Sequence, residues 1–417
     1  MKNNTLKLSE KEKNIIRLLA SEIAEIASKD HQSEFARLWT LHNDLKITRP
    51  MVLVFPEGSW RELLPESELE SESVFARNIE RELRKIIYYD RFLRDENPIE
   101  NNFDVPITVK NSGYGLYPVV TKSSQSDGAE HFEQVIRGIE DIEKMHLPEV
   151  QVDWEDSYKK LEFFQNLFGD ILNVRLVGHY EWWCSPIDEY AKLRGLDQLY
   201  YDIIDAPELV HEYCKRYVEA RIHTIKELER QNALTLRIRN EYVGSGGNSY
   251  TNDLPYIGYD GKHVRTIDLW GFATAQMFSE VSPEMHEEFA IQHEKKFLSL
   301  FGLNCYGCCE PLHNKLEIII KHIPRLRRIS ISPWANIEKS AEILQNNYVF
   351  SWKPNPTILA GESFNPEFVK EQIKSFCERT KGCITEIIMK DTHTVRNEPQ
   401  RIHEWVKITR QVCSDFT

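Results

Sequence analysis

Short apolar runs alternate with long amphipathic stretches along most of the chain, and this alternation restricts the possible fold more than any other feature. Strand-helix alternation repeated about eight times is typical of a parallel α/β fold. The count favours a closed (β/α)8 barrel, a TIM barrel, over an open doubly wound sheet. The predicted strands cover residues 51–55, 105–109, 173–177, 234–239, 304–310, 328–332, 348–352 and 384–389.

The segments between the runs carry helix start signals. Asp205 precedes Pro207, and Ser282 precedes Pro283, so each proline would lie in the first turn behind a capping residue. Predicted helices cover residues 207–231, 283–301, 336–344 and 366–380. No glycine-rich nucleotide-binding motif follows any predicted strand, which argues against a nucleotide site.

The N-terminal region has a helical pattern without a strand. Apolar residues recur at helical spacing over residues 9–47, with Ser9 as a candidate N-cap and Glu12 three residues later. We therefore predict two parts: a helical arm over residues 1–48, packed on a barrel over residues 49–417.

Bulk composition excludes several classes of protein. The formal net charge of −13 argues against non-specific nucleic-acid binding, which needs a basic surface. No apolar segment follows the charged N-terminus as in a secretory signal, and no run is long enough for a membrane span. The eight cysteines are irregularly spaced, unlike a disulfide framework. We expect a cytoplasmic protein whose thiols are free or bound to metal.

Functional residues of such a barrel lie where its strands end. Glu57 and Glu241 are candidate catalytic acids, although a carboxylate there can equally be a loop cap or a salt-bridge partner. Trp270, together with Trp182 and Trp183, is a candidate wall of an apolar substrate pocket or else part of the core. The candidate substrate-binding residues are Tyr180, Glu181, Asn240, Trp270, Lys353 and Asn355.

Three cysteines within five residues, at positions 305, 308 and 309, form the densest chemical feature. Thiolates hold zinc tightly, and His or carboxylate ligands complete the tetrahedron. Cys308 and Cys309 would point to opposite faces of an extended strand, unless the chain has already turned into a loop. His393 follows the last predicted strand and could reach the same point. The alternative is that these are small buried core residues. The segment 244–247, Gly-Ser-Gly-Gly, is either an anion cradle or a flexible lid.

Several segments resemble the uroporphyrinogen decarboxylase-like superfamily, over roughly residues 50–410. They are residues 199–211 with the helix that follows, 268–272 through 310–312, 332–335 and 353–356. The true decarboxylases have an arginine-rich N-terminal signature, whereas this chain has Glu57-Gly58-Ser59-Trp60-Arg61 at about that place. Acidic residues at the carboxyl end of the predicted barrel would repel a polyanionic porphyrinogen. Metal-free decarboxylation is therefore the alternative rather than the leading interpretation.

The chain is more similar to the zinc-dependent methyltransferase branch, which works with corrinoid proteins. The resemblance places Cys309 on that branch's zinc cysteine, Gly307 on its histidine, and Thr392 or His393 near its last ligand. It thus implies a zinc site of Cys309 and His393, with Cys308, Glu310 or Glu241 as a further ligand. The missing histidine casts doubt on activation of a thiol acceptor. It better suits a demethylase component that moves a methyl group from an O- or N-methylated molecule to a corrinoid (cobalamin) protein.

In such a reaction zinc would stabilise the charge on the leaving oxygen, or Glu57 or Glu241 would protonate it. Partners implied by the resemblance are a corrinoid-binding protein, a methylated and possibly aromatic small molecule, and a second copy in a homodimer. A third hypothesis is a non-catalytic barrel that binds a ligand or a corrinoid partner without turnover.

Overall fold

A computed structural model describes residues 6–121, 131–179, 182–236 and 238–416. The predictions for Tyr180 and Glu181 lie outside the described residues. The strands are β1 (Met51–Val54), β2 (Asn102–Pro106), β3 (Thr108–Asn111), β4 (Val119–Thr121), β5 (His131–Glu133), β6 (Val150–Asp153), β7 (Asn173–Val177), β8 (Trp183–Cys184), β9 (Trp270–Ala273), β10 (Leu303–Tyr306), β11 (Leu326–Ile331), β12 (Val349–Trp352) and β13 (Ile384–Met389).

Helices cover the other amphipathic segments. They are α1 (Glu10–Ala27), α2 (Asp30–Asn43), α3 (Trp60–Leu63), α4 (Val74–Tyr88), α5 (Ile139–Ile142), α6 (Trp154–Phe168), α7 (Pro186–Arg194), α8 (Leu196–Asp205), α9 (Pro207–Arg230), α10 (Pro283–His286), α11 (Gln292–Leu298), α12 (Leu316–His322), α13 (Ile337–Leu344), α14 (Thr357–Ala360), α15 (Pro366–Arg379) and α16 (Gln400–Ser414). None of the helices in the described part of the chain has the length and apolar character needed to cross a membrane.

Seven parallel strands form the main sheet, in the order β1-β13-β12-β11-β10-β9-β8. The first strand in the chain therefore lies beside the last, with Met51 opposite Glu386 and Val54 opposite Met389. β2 and β7 form a separate parallel pair. The chain is thus α/β with a parallel sheet, as predicted. Among the described residues, the strand pairing from β1 to β8 does not by itself close into a barrel.

Two sequence predictions about strands were wrong. In segment 234–239 none of the described residues is in a strand. The strand β9 is instead made by Trp270–Ala273, which pairs with β10 and β8. The four-residue run Trp-Gly-Phe-Ala is too short to show the alternation from which a strand is recognised. The prediction for residues 105–109 spans two strands, because β2 ends at Pro106, which has no N–H for a ladder, and β3 starts at Thr108.

The N-terminal arm consists of two helices with different roles. The capping box of Ser9 and Glu12 starts α1, as the sequence predicts. One face of α1 packs on α4 and α6 in an apolar cluster that includes Ile16 and Ile23. The second helix, α2, places Trp39 among buried residues of β1 and β13, such as Met51 and Ile388.

A buried ionic network joins α2 to the inner face of the sheet. Nε of Arg328 on β11 lies 3.1 Å from Oε1 of Glu386 on β13, and both side chains are completely buried. Nε2 of His42 lies 3.1 Å from Oε2 of Glu386. The backbone N–H of Gly247 donates to Oε1 of Glu386 at 2.9 Å. The glycine-rich segment is therefore not a lid: it is packed inside the molecule, and there its backbone amide binds a carboxylate of the protein itself.

Close packing leaves no room for a side chain at Gly246 or Gly247. A β-carbon at Gly247 would lie 2.4 Å from the Trp39 ring, and one at Gly246 would lie 2.3 Å from Cδ of Arg328. The composition of the segment is thus explained by the approach of its backbone to α2 and the sheet.

Candidate functional site

The loops after β1 and β13 meet at the carboxyl end of the sheet. The ammonium group of Lys390 donates to Oε1 of Glu57 at 2.9 Å, and both side chains are partly exposed. The backbone N–H of Ser59 donates to the carbonyl of Thr392 at 2.9 Å. Gly58 packs closely on His393, because a β-carbon at this position would lie 3.2 Å from Cα of His393 and 3.4 Å from its Nδ1. Adjacent parallel strands thus bring Glu57, Lys390 and His393 together.

The charge of Lys390 is set by two opposing effects. Burial on its own lowers the pKa of the ammonium group, but the hydrogen bond and the negative charge of Glu57 raise it above the ordinary value. Lys390 therefore stays protonated at neutral pH, and it lies 5.9 Å from the centroid of the Phe55 ring.

The cysteine segment leaves the sheet earlier than predicted. β10 ends at Tyr306, and Gly307 follows with a φ of +89°. Its β-carbon would lie 2.4 Å from Cδ1 of Leu312, so there is no room for a side chain at 307. The turn places the next two thiols in a loop, where Sγ of Cys308 lies 3.6 Å from Sγ of Cys309. The two cysteines do not point to opposite faces of a strand.

The two thiols differ in environment. Cys308 is buried and Cys309 is exposed, and Sγ of Cys309 also lies 3.8 Å from Oδ2 of Asp391. A hydrogen bond from Cys309 lowers the pKa of Cys308, against burial, and the charges of Lys390 and Lys353 act in the same direction as Cys309. The same contact raises the pKa of Cys309. Cys308 is thus the thiol that ionises first.

Glu310 is completely buried and its carboxylate accepts three hydrogen bonds. Oε1 accepts from Oγ1 of Thr274 at 2.8 Å and from the N–H of Ala275 at 3.2 Å, while Oε2 accepts from the N–H of Cys308 at 2.9 Å. These bonds tie the cysteine loop to the end of β9. Glu310 therefore positions Cys308 through its backbone.

The four predicted zinc ligands do not fit a zinc site equally well. They are Cys308, Cys309, Glu310 and His393. Two thiolates at about 2.3 Å from one tetrahedral ion would be about 3.8 Å apart. Cys308 and Cys309, with 3.6 Å between their sulfur atoms, come close to that. The oxygens of Glu310 are already occupied. Over residues 6–121, 131–179, 182–236 and 238–416, no three His, Cys, Asp or Glu side chains form a group that could hold a metal ion. The thiol pair fits zinc, but the full ligand set does not, and we assign no chemical step to a metal.

A cavity of about 280 Å³ lies beside this end of the sheet. Trp270 and Phe272, two apart on β9, share a face and line it. Cys308 belongs to the same apolar cluster as these two rings. The lining residues are Phe55, Trp182, Trp183, Glu241, Tyr242, Val243, Gly244, Ser249, Leu269, Trp270, Phe272 and Lys390. We call the six aromatic side chains among them the aromatic cage.

The other predicted site residues lie in different surroundings. Glu241 lines the cavity, and its Oε2 accepts from the N–H of Arg239 at 3.0 Å and from Oγ of Ser249 at 3.1 Å. Asn240 donates to the carbonyl of Pro98 at 3.2 Å. Lys353 is buried and donates to Oγ of Ser351 at 2.7 Å, and burial lowers its pKa to about 8. Asn355 accepts from the N–H of Thr357 at 3.0 Å, so it stabilises a turn.

Several residues of this site have no role in the sequence-based predictions, among them Lys390, which follows the last predicted strand and lines the cavity. Phe55, Tyr242 and Phe272 belong to the aromatic cage, and Asp391 contacts Cys309. Asp391 follows a predicted strand, so its position was a usable signal. The three rings carry no such signal, because isolated aromatic residues are ordinary core residues.

Comparisons with known proteins give little more. No protein-family model matches the chain, and no curated protein matches it. Among solved structures, the chain is similar to a methyltransferase from Methanosarcina mazei, with a TM-score of 0.35 and 14% sequence identity. That similarity covers 65% of this chain and 73% of the other.

Proposed function

We propose that this protein transfers a methyl group from a methylated small molecule, bound in the cavity, to a corrinoid carried by a partner protein. The observation that carries the proposal is the aromatic cavity at the carboxyl end of the sheet, with the Glu57–Lys390 pair and the thiols beside it. A reduced corrinoid supplies a nucleophile that can accept a methyl group. The sequence resemblance described above supports this acceptor.

The residues of the chain would bind and orient the donor. The aromatic rings exclude water from the donor and hold its apolar part. Lys390 can donate hydrogen bonds to an anionic or oxygen-containing group, because an ammonium has three N–H donors and Glu57 takes one of them. Where the leaving group is an oxygen, Lys390 could also protonate it, because Lys390 is the one cationic group among the described lining residues.

The cavity wall favours this function over decarboxylation of a porphyrinogen. A substrate with several carboxylates requires several cationic groups, whereas the described lining contains one lysine, one glutamate and no arginine. Arg328 lies near Trp270, 5.3 Å from its ring centroid, but its charge is paired with Glu386.

The test is a demethylation assay. Purified protein is incubated with free cob(I)alamin, as a substitute for the partner, and with a panel of O- and N-methylated compounds, and the demethylated product is measured by mass spectrometry. We expect product from at least one donor, and loss of product in a Lys390→Met, Trp183→Leu double variant. A panel that gives no product, while CO2 is released from a carboxylated substrate, would overturn the proposal in favour of decarboxylation.

A further inference from the structure

We infer that the donor is a small zwitterion with a quaternary ammonium group and a carboxylate, a betaine, whose ammonium lies in the aromatic cage. This inference rests on the proposed methyl transfer for its chemistry, but the binding site stands on the geometry of the cavity alone.

The cage is unusually rich in aromatic rings. Six of the twelve lining residues are aromatic. Phe55 and Tyr242 pack edge to face, with centroids 4.1 Å apart and planes at 61°, and Trp183 and Phe272 do the same at 4.4 Å and 62°. Rings set at such angles form the walls of a box, and the negative faces of aromatic rings attract cations that carry no N–H to donate.

Cations of the protein already contact two of these rings. Lys390 lies 5.9 Å from the centroid of Phe55, and Arg328 lies 5.3 Å from the centroid of Trp270. A ligand cation would therefore use the other four rings, those of Trp182, Trp183, Tyr242 and Phe272.

The charged groups of the wall match a zwitterion. Glu241 lines the cavity beside the cage residue Tyr242. Its Oε1 lies 3.8 Å from Nη2 of Arg175, but Nε of Arg175 lies closer to Oδ1 of Asp104, at 2.7 Å, so the carboxylate of Glu241 still adds negative charge on this side of the cage. Lys390 presents an ammonium, which favours a ligand carboxylate. A neutral methyl ether would use neither charge. The volume of about 280 Å³ is also at the lower end of the range for small-molecule sites, so it suits a small aliphatic betaine better than a large ligand.

The chemistry of such a donor needs little from the protein. The bond that forms joins the methyl carbon to the acceptor nucleophile, and the bond that breaks joins that carbon to nitrogen. The electron pair of the broken bond stays on nitrogen, so the leaving group is a neutral tertiary amine. The acceptor nucleophile supplies both electrons of the new bond to carbon, so the transfer step needs no proton and no further oxidant or reductant. The protein has only to bind, orient and desolvate the donor.

Calorimetric titration tests the inference with glycine betaine as the probe. Its isostere 3,3-dimethylbutanoate has a tert-butyl group in place of the trimethylammonium group and keeps the carboxylate. We expect glycine betaine to bind at least ten-fold more tightly than the isostere. We expect Trp183→Leu to weaken betaine binding at least ten-fold, and to weaken binding of the isostere much less. Trp183→Phe keeps an aromatic face and should retain most of the affinity, which also covers the case of a leucine variant that does not fold.

Trp154→Leu is the matched control. Trp154 is also partly exposed, stacks on Tyr158 on α6 and does not line the cavity, so its replacement should leave betaine affinity unchanged. Equal affinity for glycine betaine and the isostere, or no binding of either, would overturn the inference. The two proposals fail separately: binding of betaine without demethylation contradicts the function, whereas demethylation of a methoxylated donor without betaine binding contradicts the cage.

Discussion

Lys390 donates a hydrogen bond to Glu57 at 2.9 Å, and the contact joins the loops that follow the neighbouring strands β13 and β1. The contact determines the protonation of Lys390, because burial alone would lower its pKa and Glu57 raises it. It also places an ammonium in the wall of the cavity rather than in the surrounding solvent.

This pair predicts how donor binding depends on pH. In the wild type the affinity for glycine betaine should fall only at high pH, where Lys390 loses its proton. Glu57→Gln removes the charge that raises the pKa, so burial then lowers it and the affinity should fall at a lower pH. The measurement is the dissociation constant between pH 7 and pH 11. Lys390→Met should bind at least ten-fold more weakly and show no such transition. Tetramethylammonium, which has no carboxylate, is the control ligand, and an identical pH dependence for it would contradict the role of Lys390.

The thiol pair leads to a prediction about metal content. The sequence predicts one zinc per chain, whereas the described residues offer two well-placed thiols and no group of three ligands. Two ligands hold zinc weakly, so we expect less than one zinc in ten chains after dialysis against a chelator, measured by plasma emission spectrometry. A stoichiometric zinc that survives dialysis, and that is lost in Cys309→Ala but not in Cys377→Ala, would contradict this expectation and support the original ligand prediction. Cys377 is a buried cysteine on α15 and serves as the control.

Glu386 should be among the residues most important for stability. Its carboxylate is completely buried, and it is the counterion of Arg328, also buried, and a partner of His42. Burial raises its pKa, but the charge of Arg328 and the contact with His42 outweigh burial and hold it below the ordinary value. Glu386→Gln would leave the Arg328 charge without a counterion, a change that costs about 3–5 kcal/mol. Urea denaturation followed by circular dichroism measures the loss.

The matched control for that variant is Glu34→Gln. Glu34 pairs with Arg37 one helical turn away, and both side chains are about half exposed. Surface pairs of this kind contribute about 0.3–0.5 kcal/mol. A loss for Glu386→Gln no larger than that for Glu34→Gln would show that water or a rearranged side chain compensates Arg328.

Elements whose signals are local could be predicted from the sequence. The capping box of α1 and the proline that opens α9 involve residues within three positions of one another. The predicted cap of α9 was wrong: Asp205 is the last residue of α8, and Ala206 takes the N-cap position without a side-chain hydrogen bond. The apolar run of β1 could be predicted because all four of its residues are apolar and buried, as in a strand covered on both faces. The strand β13 was also predicted, although Thr385 and Glu386 interrupt its apolar residues.

Features that depend on distant segments could not be predicted. The need for glycine at position 247 comes only from its contacts with Trp39 and Glu386. One of these residues lies far before Gly247 in the sequence and the other far after it. The aromatic cage takes its rings from four separate parts of the sequence, so no window of residues contains it. At the cysteine loop, the residue types were informative but the geometry depended on the positive φ of Gly307, which turns the chain before both thiols.

Asp95 gives a prediction about stability and pH that does not depend on the function. Its carboxyl group accepts from the N–H of Val54 at 3.0 Å and from that of Asn97 at 3.1 Å, at a position where only 4% of the residue is exposed. Burial raises its pKa from about 3.8 to about 7, against these hydrogen bonds. Between pH 3.8 and about pH 7 the folded protein holds a proton on Asp95 that the unfolded chain has released. The contribution of Asp95 to stability is therefore fully present below about pH 4, and it is lost as the pH rises to about 7. Asp95→Asn has no charge to bury, so relative to the wild type it should become more stable as the pH rises through this window, by up to about 1.4 kcal/mol per unit of pKa difference. Urea denaturation of both proteins at pH 4.5, 6 and 7.5 checks this, and parallel curves for the two proteins across that range would show that Asp95 titrates normally.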